Sequence, residues 1–206
     1  MKKIMLSSLV IGLITISACN NSDNSSRESM SKMSVDTAKN TPVDNSQIAE
    51  LVHTFKDVDS KLASSIKTVL DHYFHIKNAL VRNDGSDAAN GGKAMAEEIG
   101  KIDKSLFTTE QKQVYDDIKD DLKENAEHIG KSGGDIAHQR EHFSMMSQDI
   151  YDLVKAFGAG RVVYHDHCPM ANSNKGAMWL SEMREIINPY FGGKMNDCVK
   201  IPESIK

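Results

Sequence analysis

The feature that most constrains this chain is a spacing of apolar residues. Leu51, Phe55, Val58, Leu62, Ile66, Val69, Tyr73, Ile76 and Leu80 recur every three or four positions. That period lines one face of a helix and no strand, so the segment predicts one long helix or two consecutive ones. It closes at the turn-like Arg82-Asn83-Asp84-Gly85, and a weaker helical stretch follows through Ala94, Met95, Ile99 and Ile102, with Gly91-Gly92 arguing against an early start. A third helix opens on the capping box Thr108-Thr109-Glu110-Gln111, in which Thr108 and Gln111 can satisfy each other's backbone N–H groups. Its stripe is Val114, Ile118, Leu122 and Ile129, stopped by Gly130 and Gly133-Gly134. The fourth runs from about Asp135 to Phe157 on Ile136, Phe143, Met146, Ile150, Leu153 and Phe157. Four helices with short connections predict a mainly α fold, an antiparallel four-helix bundle over 47–158, with a small C-terminal lobe containing short strands over 159–206.

The segment ahead of this domain reads as an export device. Lys2 and Lys3 precede an apolar run from Ile4 to Ile16, which ends at Ser17-Ala18-Cys19. A charged start, a short apolar stretch and small residues before a cysteine are the pattern of a lipoprotein signal peptide over 1–19, with Cys19 as the lipidated residue. The run is too short to span a bilayer, which takes about 20 apolar residues. Residues 20–46 are rich in Ser, Asn and Asp and read as a disordered tether. Asn20, following Cys19, is not the Asp associated with inner-membrane retention, so the expected location is the cell envelope, on an outer membrane facing the periplasm.

The formal net charge of −4 and the few aromatics leave neither a basic stripe nor a stacking platform, which argues against a nucleic-acid partner. Once Cys19 carries lipid, Cys168 and Cys198 remain as a pair in a compartment that permits disulfides. They define the chemistry of the lobe. Beyond Gly160, Arg161-Val162-Val163-Tyr164 reads as a short strand leading into His165-Asp166-His167-Cys168-Pro169-Met170, and a second cluster, Asn188 to Cys198, follows a short helix or turn around Trp179 to Ile187. Cys168 and Met170 are two apart in an extended stretch and share a face. Met195 and Cys198 are three apart, the spacing of a helical turn. Two thiolates with two thioethers form a soft sulfur set that suits monovalent copper.

Histidines form a second layer. His138 and His142 lie one turn apart on the fourth helix with Met145 beside them, and His165 and His167 alternate along the strand; of these, His138, His142 and His167 join the candidate metal ligands. Met146, Met178 and Met183 read as packing residues. The alternative for Cys168 and Cys198 is a structural disulfide, and both readings stand on sequence alone. An enzyme using Cys168 with His165 or His167 is the weakest reading, because no triad order, phosphate loop or carboxylate pair stands out, and the expectation is a non-enzyme.

The segments Tyr73 to Leu80, Gln139-Arg140-Glu141-His142-Phe143, Cys168-Pro169-Met170-Ala171, Trp179-Leu180, Asn188-Pro189-Tyr190-Phe191-Gly192 and Met195 to Cys198 together resemble the family called domain of unknown function 3347, over residues 47 to 201. Val199 departs from the pattern, standing where the family has Gly. The resemblance implies an exported lipoprotein, a copper-handling context, the Cys-Pro-Met and Met-x-x-Cys elements as functional positions, and partners such as the adaptor subunits of heavy-metal efflux systems or a metallochaperone. Function on this basis is expected to be metal capture or transfer in homeostasis or efflux. The competing expectation is an interaction domain, stapled by Cys168–Cys198, that docks on an envelope partner.

Overall fold

The computed structural model describes residues 49–197 and 199–206, all within one unit, Val43–Lys206. The signal peptide 1–19 with Cys19, the tether 20–46 and Cys198 lie outside the described residues. Among the described residues no helix is long and apolar enough to cross a membrane.

The structure is mainly helical, with four long helices, α1 (Ser60–Val81), α2 (Gly85–Lys101), α3 (Thr109–Lys131) and α4 (Ile136–Phe157), followed by short C-terminal strands. Each helix packs on the next, and α1 also meets α4. Each starts at a side-chain cap. Asp59 accepts from Lys61 N and Leu62 N, Asp84 from Asp87 N, and Asp135 from His138 N. Thr108 and Gln111 close the predicted capping box, and Gln111 Nε2 also donates to Asp57 O at 2.9 Å. These contacts satisfy amide groups that a helix start leaves without partners.

Three expectations change. The first helix does not begin near Leu51. Ala49–Leu51 form a strand, β1, and Thr54 N and Phe55 N donate to Lys155 O and Ala156 O, so the chain reaches α1 along the end of α4. Gly91-Gly92 do not delay α2, because both lie within it. A Cβ on Gly92 would stand 2.6 Å from Ala126 O and 2.8 Å from Gly130 N, and one on Gly91 would stand 2.8 Å from Ile76 Cγ1. The pair is where α2 closes on α3 on one side and α1 on the other, and the intrinsic preference against glycine in a helix yields to that packing. Finally, Trp179 belongs to a strand, not a helix or turn.

The strands are β1, β2 (Val163–Cys168), β3 (Ala177–Ser181) and β4 (Lys200–Ile205), in spatial order β1-β4-β2-β3. β1 runs parallel to β4, and β2 is antiparallel to both neighbours. Opposite His165 and His167, β4 carries one residue more than β2, a bulge at Ile201-Pro202 that accommodates a residue without an N–H. Sheet and helices are joined in the core at the buried Tyr73 hydroxyl, which lies 2.9 Å from Ser147 Oγ and accepts from Leu180 N at 3.0 Å. Tyr73 also stacks on Phe143 with ring centroids 5.1 Å apart, and Trp179 and Tyr190 close the same core.

Candidate metal centre

Three histidines meet where α3 passes into α4. His128 lies in the last turn of α3, His138 in the first turn of α4, and His142 one turn further. One ring nitrogen from each lies within 4.8 Å of the others. The His128 and His142 rings are stacked with centroids 4.3 Å apart, and His138 meets His142 edge-on at 4.5 Å.

The corner that presents them is built by neighbouring residues. The link 132–135 turns on Asp135 N donating to Ser132 O, and the Asp135 side chain caps the amide of His138. Gln139, fully buried, donates from Nε2 to Gly85 O and to Ile129 O, the carbonyl next after His128. Ile129 O, which also accepts from Ser132 N, thus ties the end of α3 to Gln139 and fixes α4 against it.

A second layer orients one imidazole. Asn125 Oδ1 lies 2.9 Å from His142 Nδ1 and can only accept, so the tautomer that makes this bond carries its proton on Nδ1 and leaves the Nε2 lone pair free. Burial, with the charges of His128 and His138, lowers the His142 pKa below the ordinary histidine value, while Glu141 and Glu124 oppose the shift. Behind Asn125, burial together with Asp121 and Asp152 pushes Asp149 up to about 6, against the hydrogen bond from Asn125. A cation requires neutral imidazole, and burial with like-charge crowding favours that form at His142. A tetrahedral complex with metal–nitrogen bonds of about 2.0–2.1 Å sets ligand nitrogens about 3.4 Å apart, so the rings have little over an ångström to close. All three side chains are partly exposed.

The sulfur donors are placed elsewhere. Cys168 ends β2, wholly buried and paired with Ala177. Met170 is half-exposed and lines a cavity of about 380 Å³ with Arg140, Ser144 and Tyr190. At 100° per residue, that face of α4 lies roughly a third of a turn round the helix from His138 and His142. Met195 is exposed with φ +55, in a loop held by buried Asn188, which accepts from Tyr190 N while its own N donates to Asn196 Oδ1. Cys198, and with it the full sulfur set, lies outside the described residues. His167 stands opposite Met178 and Lys200, its Nε2 2.9 Å from where a Cβ on Gly176 would be, and is not in the histidine cluster. His165 Nδ1 is 2.9 Å from Glu203 Oε1, which also accepts from Tyr151. Of the predicted donors, the structure brings together His138 and His142.

Most of the remaining motif residues make joints. Lys77 and Asn78 donate to the two oxygens of Glu182 at 2.6 and 2.8 Å; burial would raise that carboxyl, and these bonds hold it below the ordinary range. Arg140 donates to Pro189 O, Leu80 O and Asn83 Oδ1, linking the Asn-Pro-Tyr turn to the end of α1. Buried Asp166, opposite Trp179, makes no hydrogen bond of normal geometry among the described residues. Burial pushes its carboxyl up to about 8, against the Lys77 charge and the Trp179 indole.

Sequence reasoning missed His128 and Asn125. The available signal was position: residues equally far from a short link between helices come opposite each other when the chain reverses there, and His128 and His138 flank 132–135.

The family model described as Protein of unknown function (DUF3347) matches residues 69–161, from within α1 to just past α4. That supports the resemblance over a narrower span than 47–201. All three clustered histidines fall inside it, and Cys168, Met170, Met195 and Cys198 fall outside. No curated protein and no solved structure matches the chain.

Proposed function

We propose that this chain is a lipid-anchored envelope protein that binds a soft metal ion, monovalent copper, and captures or passes it on in metal homeostasis or efflux. The observation that carries the reading is the clustering of His128, His138 and His142, each offering a nitrogen within 4.8 Å of the other two. Neutral imidazoles suit copper and zinc. A partly exposed site suits an ion that is handed over better than one sealed in place. The antiparallel course of α1 to α4 belongs to the same proposal, and short links such as 82–84 and 132–135 support it.

The anchor rests on the pattern Lys2 to Cys19, and an efflux adaptor or a metallochaperone as partner rests on the family resemblance alone. Binding requires no catalytic group, and the protein is read as a non-enzyme. For the lobe, the complete burial of Cys168 favours the second reading, in which Cys168 and Cys198 form a structural disulfide and the surface docks on an envelope partner. Thiols sealed from solvent exchange ions slowly, so the histidines are the better port.

The test is an anaerobic competition of the full-length chain in detergent against a coloured copper(I) chelator, with His128→Ala and Cys198→Ser beside it. One-to-one binding weakened at least about tenfold in His128→Ala supports the cluster. Binding lost only in Cys198→Ser moves the site to the lobe, and no competition by the parent chain leaves the docking module.

A further inference from the structure

Three imidazoles do not by themselves separate copper from zinc, because nitrogen donors serve both ions. What discriminates is the fourth donor.

Met145 is half-exposed, while Met146, its neighbour in sequence, is wholly buried in the core. The core accounts for Met146 and not for Met145. Met145 instead borders a surface cavity of about 520 Å³ together with His142, Asn125 and Asp149. On the helix it stands three residues after His142, which puts the two side chains on neighbouring positions of one face. Helical side chains lean toward the N-terminus, which directs Met145 toward the turn that carries His142. Met170 lines a different cavity, on a different face of α4, and cannot play this part.

We infer that Met145 is the fourth donor of the histidine cluster, completing a three-nitrogen, one-thioether set that selects monovalent copper over zinc. The inference rests on the proposed metal site. A thioether is neutral and soft. It binds a monovalent d¹⁰ ion well and adds little for zinc, which prefers nitrogen, thiolate or water in that position. Methionine also has three rotatable bonds and half its surface in solvent, so it can swing onto the ion and off again. In the ligand set, His142 donates from Nε2, because its Nδ1 proton is committed to Asn125.

The experiment is methyl NMR of the full-length chain in detergent, labelled at the methionine methyl and histidine ring carbons. One equivalent of copper(I) is added anaerobically, and the Met145 signal is assigned from Met145→Leu. Copper(I) and zinc affinities of the parent and variant chains are measured in parallel by chelator competition. The expected result is that the Met145 methyl moves together with the rings of His128, His138 and His142, while Met145→Leu weakens copper(I) about tenfold and leaves zinc within about twofold. If the histidine rings move and the Met145 methyl does not, with the variant binding copper(I) as tightly as the parent, the inference is overturned and the histidine site stands. If only the Met170 or Met195 methyl moves, the histidine site falls too. Met145 is exposed, and its change to leucine leaves the fold intact.

Discussion

Adding a single methyl group at Gly92 should loosen the corner that carries His128. Alanine is about 1 kcal/mol better than glycine in a helix interior, so propensity alone predicts that Gly92→Ala stabilises α2. Contact predicts the reverse. The new Cβ would stand 2.6 Å from Ala126 O and 2.8 Å from Gly130 N, both backbone atoms that cannot rotate away. Reaching an ordinary separation of about 3.4 Å means parting α2 from α3 by most of an ångström, and overpacking of that kind costs about 1–3 kcal/mol. Contact outweighs propensity by up to about 2 kcal/mol, which lowers the melting midpoint by about 4–8 °C in a domain of this size. Gly100 serves as the internal control. It lies in the same helix and a Cβ there meets nothing within 4 Å, so Gly100→Ala should stabilise by a few tenths to about 1 kcal/mol. Thermal and urea unfolding followed by circular dichroism read both variants. The reasoning is refuted if Gly92→Ala is as stable as Gly100→Ala. Ala126 and Gly130 flank His128, so the same variant should also weaken copper(I) binding.

Two further outcomes follow from the buried polar groups. Asn125→Ala removes the acceptor that fixes the His142 tautomer, and competition titration should show metal affinity falling about 10–100-fold with the fold retained. Asp166 has a folded pKa of about 8, raised above its unfolded value, so it stays protonated in the folded chain while the unfolded chain ionises. Its contribution is therefore greatest below about pH 4 and is lost as pH rises to about 8, by up to about 1.4 kcal/mol per pH unit. Asp166→Asn should flatten that part of the stability curve, and a variant with an unchanged slope in urea unfolding at pH 5, 6.5 and 8 would remove Asp166 as its source.

The helices could be read where periodicity and capping agreed. Thr108-Thr109-Glu110-Gln111 fixed the start of α3, and the stripe from Ile136 to Phe157 fixed α4, because both signals are local and need no partner. The error at Leu51 arose because only Leu51, Phe55 and Val58 of the stripe precede α1, a run short enough for tertiary pairing to override. Leu51 pairs with Ile205, a neighbour supplied by the far end of the chain. Trp179 failed for the same reason, its strand being defined by β2. His138 and His142 were legible as a one-turn pair, whereas His128 belongs to another helix and Asn125 has no signature of its own.

Sequence by itself determined the four long helices, the capping box that opens α3 and the one-turn pair His138 and His142, since these depend on side-chain chemistry and on contacts within a turn or two. Tertiary structure decided which donors meet. It set His128 beside His142, placed Met170 on another face of α4 and turned Gly91-Gly92 from a weak point into a joint. The physical reason is that metal coordination and close packing depend on distances of a few ångströms between residues far apart in the chain, and those distances exist only once the helices have packed.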